Sequence, residues 1–130
     1  MNNNSDIYQA FIDKVDTTFG NVYKISYEGY TFDPPDTGIW LEVKHMPNNG
    51  IDQSINGSGV LAQGMFQVNV VNRKEQGIIS LQNVAELVQA AFPKSSAITG
   101  LCRVSRAPYQ SSPLTLDDRL IIGVTIPYSE

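Results

Sequence analysis

The sequence predicts an α+β fold in which two helices pack on one face of a mainly antiparallel four-stranded sheet, in the order α-β-β-α-β-β. Three observations lead there. Two stretches carry apolar residues at three- and four-residue spacing, several others alternate apolar and polar residues, and proline- or glycine-rich segments separate them. At 130 residues the chain, residues 1–130, is expected to be a single domain, large enough to bury somewhat under ~70% of the surface its unfolded form exposes.

The first helix is read from Ile7, Tyr8, Phe11, Ile12, Val15 and Phe19, with Asn4 or Ser5 as its cap and Gly20 as its stop. Residues 21 to 31 hold Val22, Tyr23, Ile25, Tyr27 and Tyr30 without a helical period, which suits an extended connection with partial strand character. Next comes Phe32-Asp33-Pro34-Pro35-Asp36-Thr37-Gly38, a stiff turn whose prolines fix φ and cannot donate to a ladder. It should cross a surface and deliver the strand 39–46, with Ile39, Leu41 and Val43 on one face and Trp40, Glu42, Lys44 and Met46 on the other.

Pro47-Asn48-Asn49-Gly50 then opens a loop that runs to Gly59, longer than a hairpin usually needs. A second strand follows over 60–71, where Gly64 marks a bend or bulge. Ser80 is placed as the cap of a second helix bearing Leu81, Val84, Leu87, Val88, Ala91 and Phe92, and Pro93 ends it. Strands are expected over 98–107 and 119–128, joined by a turn-rich connection from Pro108 to Asp118.

Charge and cysteine content narrow the function classes. The net charge is -4, and the nine Lys and Arg residues are scattered, so the clustered cations that neutralise phosphates are missing and a dedicated DNA-binding role is disfavoured. A single cysteine, Cys102, rules out an intrachain disulfide framework. The start MNNNSDIYQAF has neither the charged nor the apolar region of a secretory signal, and no apolar run reaches the roughly 18 to 20 residues that span a bilayer. A soluble protein of a reducing cytoplasm is the expectation.

Residues able to carry chemistry are sparse. His45 is the only histidine and has no second ligand at a metal-binding spacing, so it reads as a partly exposed strand residue. Cys102, between Leu101 and Arg103, reads as a small buried hydrophobe with no activating base beside it. Asp117-Asp118 and the pair Asp33 and Asp36 lie where Asp normally caps turns. Gly57-Ser58-Gly59 lacks the lysine and the strand-to-helix context of a phosphate loop. No catalytic, cofactor or metal site is therefore assigned. Trp40 is either a core plug or an exposed anchor for a partner. Arg103 and Arg106 are placed on opposite faces of their strand, to pair with acidic groups within or between subunits.

Taken in order, several segments resemble the phage tail terminator family, small minor tail proteins similar to the lambda tail terminator. They are the Phe-x-Pro-Pro turn at Phe32 to Pro35 leading to Trp40-Leu41-Glu42-Val43, and the Gly-x-Phe-Gln-Val strand at Gly64 to Val68. Then come the helix ending Ala90-Ala91-Phe92-Pro93, the Arg103 and Pro108 region, and the closing Val124-Thr125-Ile126-Pro127-Tyr128. Each is weak alone, but their order and spacing cover nearly the whole chain.

The resemblance implies a structural protein of the virion tail, at its head-proximal end, assembled in the bacterial host cytoplasm. Family members form a ring, typically of six subunits, that caps the tail tube, stops its polymerisation and offers a surface for head joining. The implied partners are the tail tube protein and a head-completion or connector protein. A monomer before assembly is compatible with it. No cofactor, membrane or sequence-specific nucleic acid is implied, and DNA passes through the channel. On this reading the candidate interaction residues are Trp40, Asn48, Asn49, Asp52, Asn56, Arg73, Lys74, Arg103 and Arg106, with the tube contact in the loop Pro47 to Gly59 and neighbouring subunits around strand 60–71. The rivals are another neck or completion protein and, behind it, a small ligand-binding domain or enzyme.

Overall fold

A computed structural model describes residues 4–35, 38–52, 60–73, 77–98 and 102–129. Ten elements follow one another. They are α1 (Asn4–Phe19), β1 (Lys24–Ser26), β2 (Trp40–Asp52), β3 (Val60–Arg73), α2 (Ile79–Ala91), β4 (Ala97–Ile98), β5 (Cys102–Val104), β6 (Tyr109–Gln110), β7 (Leu114–Leu116) and β8 (Arg119–Ser129). The expectation of a four-stranded sheet in the order α-β-β-α-β-β is thereby corrected. Eight strands form one curled mixed sheet, ordered β1-β2-β3-β8-β5-β4, with β6 and β7 also on β8. β1 lies parallel to β2, whereas the other pairs are antiparallel.

The frame is the trio β2, β3 and β8, in which Leu41 faces Val70 and Val70 faces Ile122, while Val43 faces Val68 and Val68 faces Val124. Side chains alternate across a strand, so these register partners share one face of the sheet. Both helices close that face. Ile7, Phe11, Val15 and Phe19 of α1 and Leu81, Val84, Ala85 and Val88 of α2 join Leu41, Val43, Phe66, Val68, Val70, Ile122, Val124 and Ile126 in one buried cluster. Phe11 stacks on Phe66 with ring centroids 4.0 Å apart, and Phe66 stacks on Tyr128 at 4.4 Å.

Four local expectations change. α2 starts at Ile79 behind Ile78, whose backbone is helical and whose side chain makes no cap bond, so Ser80 lies inside the helix and does not cap it. At the other helix, Ser5 likewise sits within α1, and the residues before Asn4 lie outside the described set. Gly64 is no bulge: it pairs in regular register with Pro47 on one side and Tyr128 on the other. It is glycine because a Cβ there would meet the Met46 carbonyl oxygen and the Tyr128 hydroxyl at 2.8 Å. The ladder irregularity falls instead between Asn48 and Ile51, and β2 runs through the Pro47-to-Gly50 segment to Asp52.

The fourth change concerns the chain between Cys102 and Leu116. The single strand 98–107 is replaced by β4 and β5, and the connection 108–118 contains β6 and β7. β5, β6 and β7 lie in succession along the second edge of β8. Val104 faces Tyr128 and Tyr109 faces Thr125, so five steps of this edge run against three of β8. Pro108 and Pro113 have no N–H to give a continuous ladder, which is why the edge is made of pieces.

Candidate interaction surface

Three regions outside the main core have a defined geometry. The first is an arm. β8 pairs with β3 only from Gln63 onward, while β3 and β2 continue together to Val60 and Asp52. The β2–β3 hairpin therefore extends past the rest of the sheet, and its tip, with Asn56, lies outside the described residues. Asn48, Asn49 and Asp52 are placed on this arm, in strand and not in a loop.

At the arm's base a small polar cluster closes the helix-covered face. His45 Nε2 and the Tyr128 hydroxyl share a 2.7 Å hydrogen bond across Gly64. Glu28 accepts at Oε1 from the His45 backbone N–H at 2.9 Å and from the Tyr8 hydroxyl at 2.8 Å. Burial lowers the His45 pKa, and the Glu28 carboxylate partly opposes that shift. Burial pushes Tyr128 up to about 12, with the neighbouring Cys102 adding to it. Tyr8 is raised first by burial and then by its bond to Glu28. The His45 ring and the Tyr8 and Tyr128 hydroxyls are neutral at neutral pH and act as a clasp between α1, β2 and β8.

The second region is the sheet's other face at its Trp40 end. Trp40 is completely buried, which settles it as a plug and removes it from the set of exposed anchors. It belongs to a second, smaller apolar patch outside the main cluster, since Trp40 and Val71 are register partners facing away from the helices. Arg73 and Arg119 lie over its ring at 5.2 and 5.3 Å from the centroid. Its indole Nε1 donates to Glu42 Oε2 at 3.2 Å. Arg73 also donates to Asp118 Oδ2 at 2.9 Å and to the Pro35 carbonyl at 3.1 Å. Arg73 thus links the proline turn to the tryptophan.

The remaining candidates scatter. Arg103 is exposed and reaches the Ser95 carbonyl at 3.3 Å. Arg106 is exposed beside a shallow depression shared with Gln63, Met65, Tyr109 and Pro127. Lys74 lies outside the described residues. From Gln63 onward β3 has both of its ladders filled, by β2 and by β8, so a neighbour can meet that stretch only through side chains. Among the described residues no group of three or more His, Cys, Asp or Glu is arranged to hold a metal.

The third region is the two outer edges of the sheet; partial strand character was expected around β1, whereas the β7 edge was missed from the sequence. Leu114 and Leu116 on β7 are 56% and 52% exposed, while Val22 and Tyr30, flanking β1, are 69% and 78% exposed. The signal was there in Leu114-Thr115-Leu116, an alternating triplet before a two-residue Asp-Asp turn. Asp117 takes a φ of 54°, as such a turn requires.

The family model described as phage tail terminator protein matches residues 6–128. The chain belongs to the phage tail terminator family. It is a structural protein of the phage tail, located in the virion. The fold recurs in a solved chain that carries no functional name, with a TM-score of 0.76, 24% identity and coverage of 98% of this chain and 96% of that one. It recurs also in a chain from the virion of a native gene transfer agent particle, with a TM-score of 0.60, 14% identity and coverage of 95% and 90%. No curated protein matches the sequence of this tail terminator.

Proposed function

We propose that this tail terminator works as a closed homomeric ring, six copies around one axis, seated on the last layer of the tail tube at the end that will meet the head. One face of the ring stops further tube protein from adding, and the other receives a head-completion or connector protein. The role is geometric, so it needs no reaction and no cofactor, and residues 1–130 act as one domain. The observation that carries the reading is the family match across residues 6–128.

The β2–β3 arm supplies a physical means of docking. It extends beyond the strands that anchor it, and a projecting hairpin offers backbone and side-chain contacts to a tube subunit without disturbing the core. A net charge of -4 per copy suits a channel wall that DNA slides past without adhering.

Tail length is the test. Phage lacking this protein should build abnormally long tails, and adding the purified protein during assembly should restore a fixed length. Tails of normal length in the null phage would overturn the reading. Removing Asn48 to Ser58 should leave the thermal melt of the core in place and abolish length control; a shortened-arm protein that still caps tubes would remove the arm from the tube contact.

A further inference from the structure

The sheet has two outward edges at one level. Ile25 faces Leu41, Leu41 faces Val70 and Val70 faces Ile122, while Leu114 faces Ile121 on the far side of β8. A five-strand row, β1-β2-β3-β8-β7, therefore crosses the molecule, and β1 and β7 are its ends. Among the described residues neither end has a backbone hydrogen bond on its outer side. An edge of this kind is a template for another strand.

Strand direction fixes how two copies would meet. β1 and β2 run one way, β3 the other, β8 returns and β7 reverses again. β7 is thus antiparallel to β1 of its own chain. A rotation that builds a ring without inverting the subunit preserves that sense, so β7 of one copy meets β1 of the next as an antiparallel pair, the more stable kind.

Face and charge agree with that pairing. Lys24 is the register partner of Trp40, and the exposed Leu114 and Leu116 of β7 are the register partners of Ile121 and Arg119, so all three side chains lie on the Trp40 face of the sheet and adjoin across such a joint. Antiparallel pairing sets the start of β1, Lys24, beside the end of β7, where Asp117 follows. Lys24 and Asp117 are both exposed, and neither has an ion-pair partner within the described residues.

We propose that the contact between neighbouring copies is an edge-to-edge joint in which β7 docks antiparallel along β1, laying Leu114 and Leu116 on the Trp40 face beside the neighbour's Ser26 and Lys24 and setting Lys24 against Asp117. The proposal rests on the ring reading above and names its interface. It makes the contact heterologous, two different edges that cannot pair with themselves.

Cysteine placement tests this directly. A variant carrying both Ser26→Cys and Leu114→Cys, which the antiparallel register sets side by side, assembled on tails and treated with a short bis-maleimide, should give a ladder of multimers. Each single variant should give no more product than the wild type, whose one cysteine is buried. Dimers from a single variant would mean an isologous contact and overturn the proposal. Leu114→Asp with Leu116→Asp should cut ring occupancy on tails by at least about tenfold, as expected when side chains worth a few kcal/mol of burial are lost. Leu87→Asp, equally exposed on α2, should leave occupancy unchanged. Rings that form without the ladder, or survive the aspartates, would sink this interface alone; a wild-type protein that forms no rings on tails would sink the ring reading with it.

Discussion

The two faces of the central sheet are built from the same three strands and yet are held by different physics. On the helix side, aliphatic and aromatic side chains from seven elements fill one continuous core, and the rings of Phe11, Phe66 and Tyr128 form a stack through its centre. On the other side a single large ring, Trp40, is covered by two guanidinium groups, one of which also holds the carbonyl of Pro35. The first face gains its stability from area removed from water. The second shows that long charged side chains can bury a tryptophan while keeping their own heads partly hydrated.

The contrast is sharpest under truncation. Phe66→Ala, in the middle of the stack, should destabilise by about 3–5 kcal/mol in urea melts. A cost near 1 kcal/mol would mean that the helix side is not the main store of stability. Trp40→Ala should cost about 3 kcal/mol, the low end of the same range, because arginines relax into the space more readily than a packed core does. If Trp40→Ala proved costlier than Phe66→Ala, the ranking of the faces would reverse.

Gly64→Ala sits between the two in a different way, since it adds atoms. The new methyl group would press on the Met46 carbonyl and the Tyr128 hydroxyl, so a loss of about 1–3 kcal/mol is expected, read by thermal melts, together with a weakened His45–Tyr128 bond. The smallest effect is a pH slope. The folded His45 pKa is lowered, so the unfolded chain binds the proton more readily, and stability should be full above about pH 6.5 and decline as pH falls from there toward the folded pKa. His45→Gln should flatten that slope; an unchanged slope would place its origin elsewhere.

Where one face of an element is buried against the core, its existence and type were legible in the sequence. Ile7, Phe11 and Val15 announce α1 and Leu81, Val84 and Val88 announce α2, because only a 3.6-residue period brings each set onto one stripe. Leu41 and Val43, or Ile122, Val124 and Ile126, announce strands for the matching reason. The edges were legible only in part: residues 21 to 31 read as extended with partial strand character, while β6 and β7 read as a connection. β1 has three residues and β6 two, too few for a period to register, and their strand state comes from the partner they lie beside. Pro47 to Gly50 reads as a turn by composition, yet the β2–β3 ladder carries it as an irregular stretch of strand. Trp40 could not be assigned inside or outside because the side chains that lie over it, Arg73 and Arg119, come from distant positions with no apolar signature. The candidate Arg73 lies over that ring, and the exposed Leu114 and Leu116 stand in what read as a connection.

The stepwise edge along β8 has a consequence for how this chain tolerates change. Val104 faces Tyr128, Gln110 faces Val124 and Leu114 faces Ile121, and the surplus residues lie in the gaps between these pairings. Each short segment takes its register from β8 independently, so a residue gained or lost in one gap is absorbed there and not passed to the next segment. The two ends of the sheet are therefore uncoupled along this border. Length variation can accumulate beside Pro108 and Pro113 while β7 and the Asp117–Asp118 turn stay where a neighbouring copy would find them.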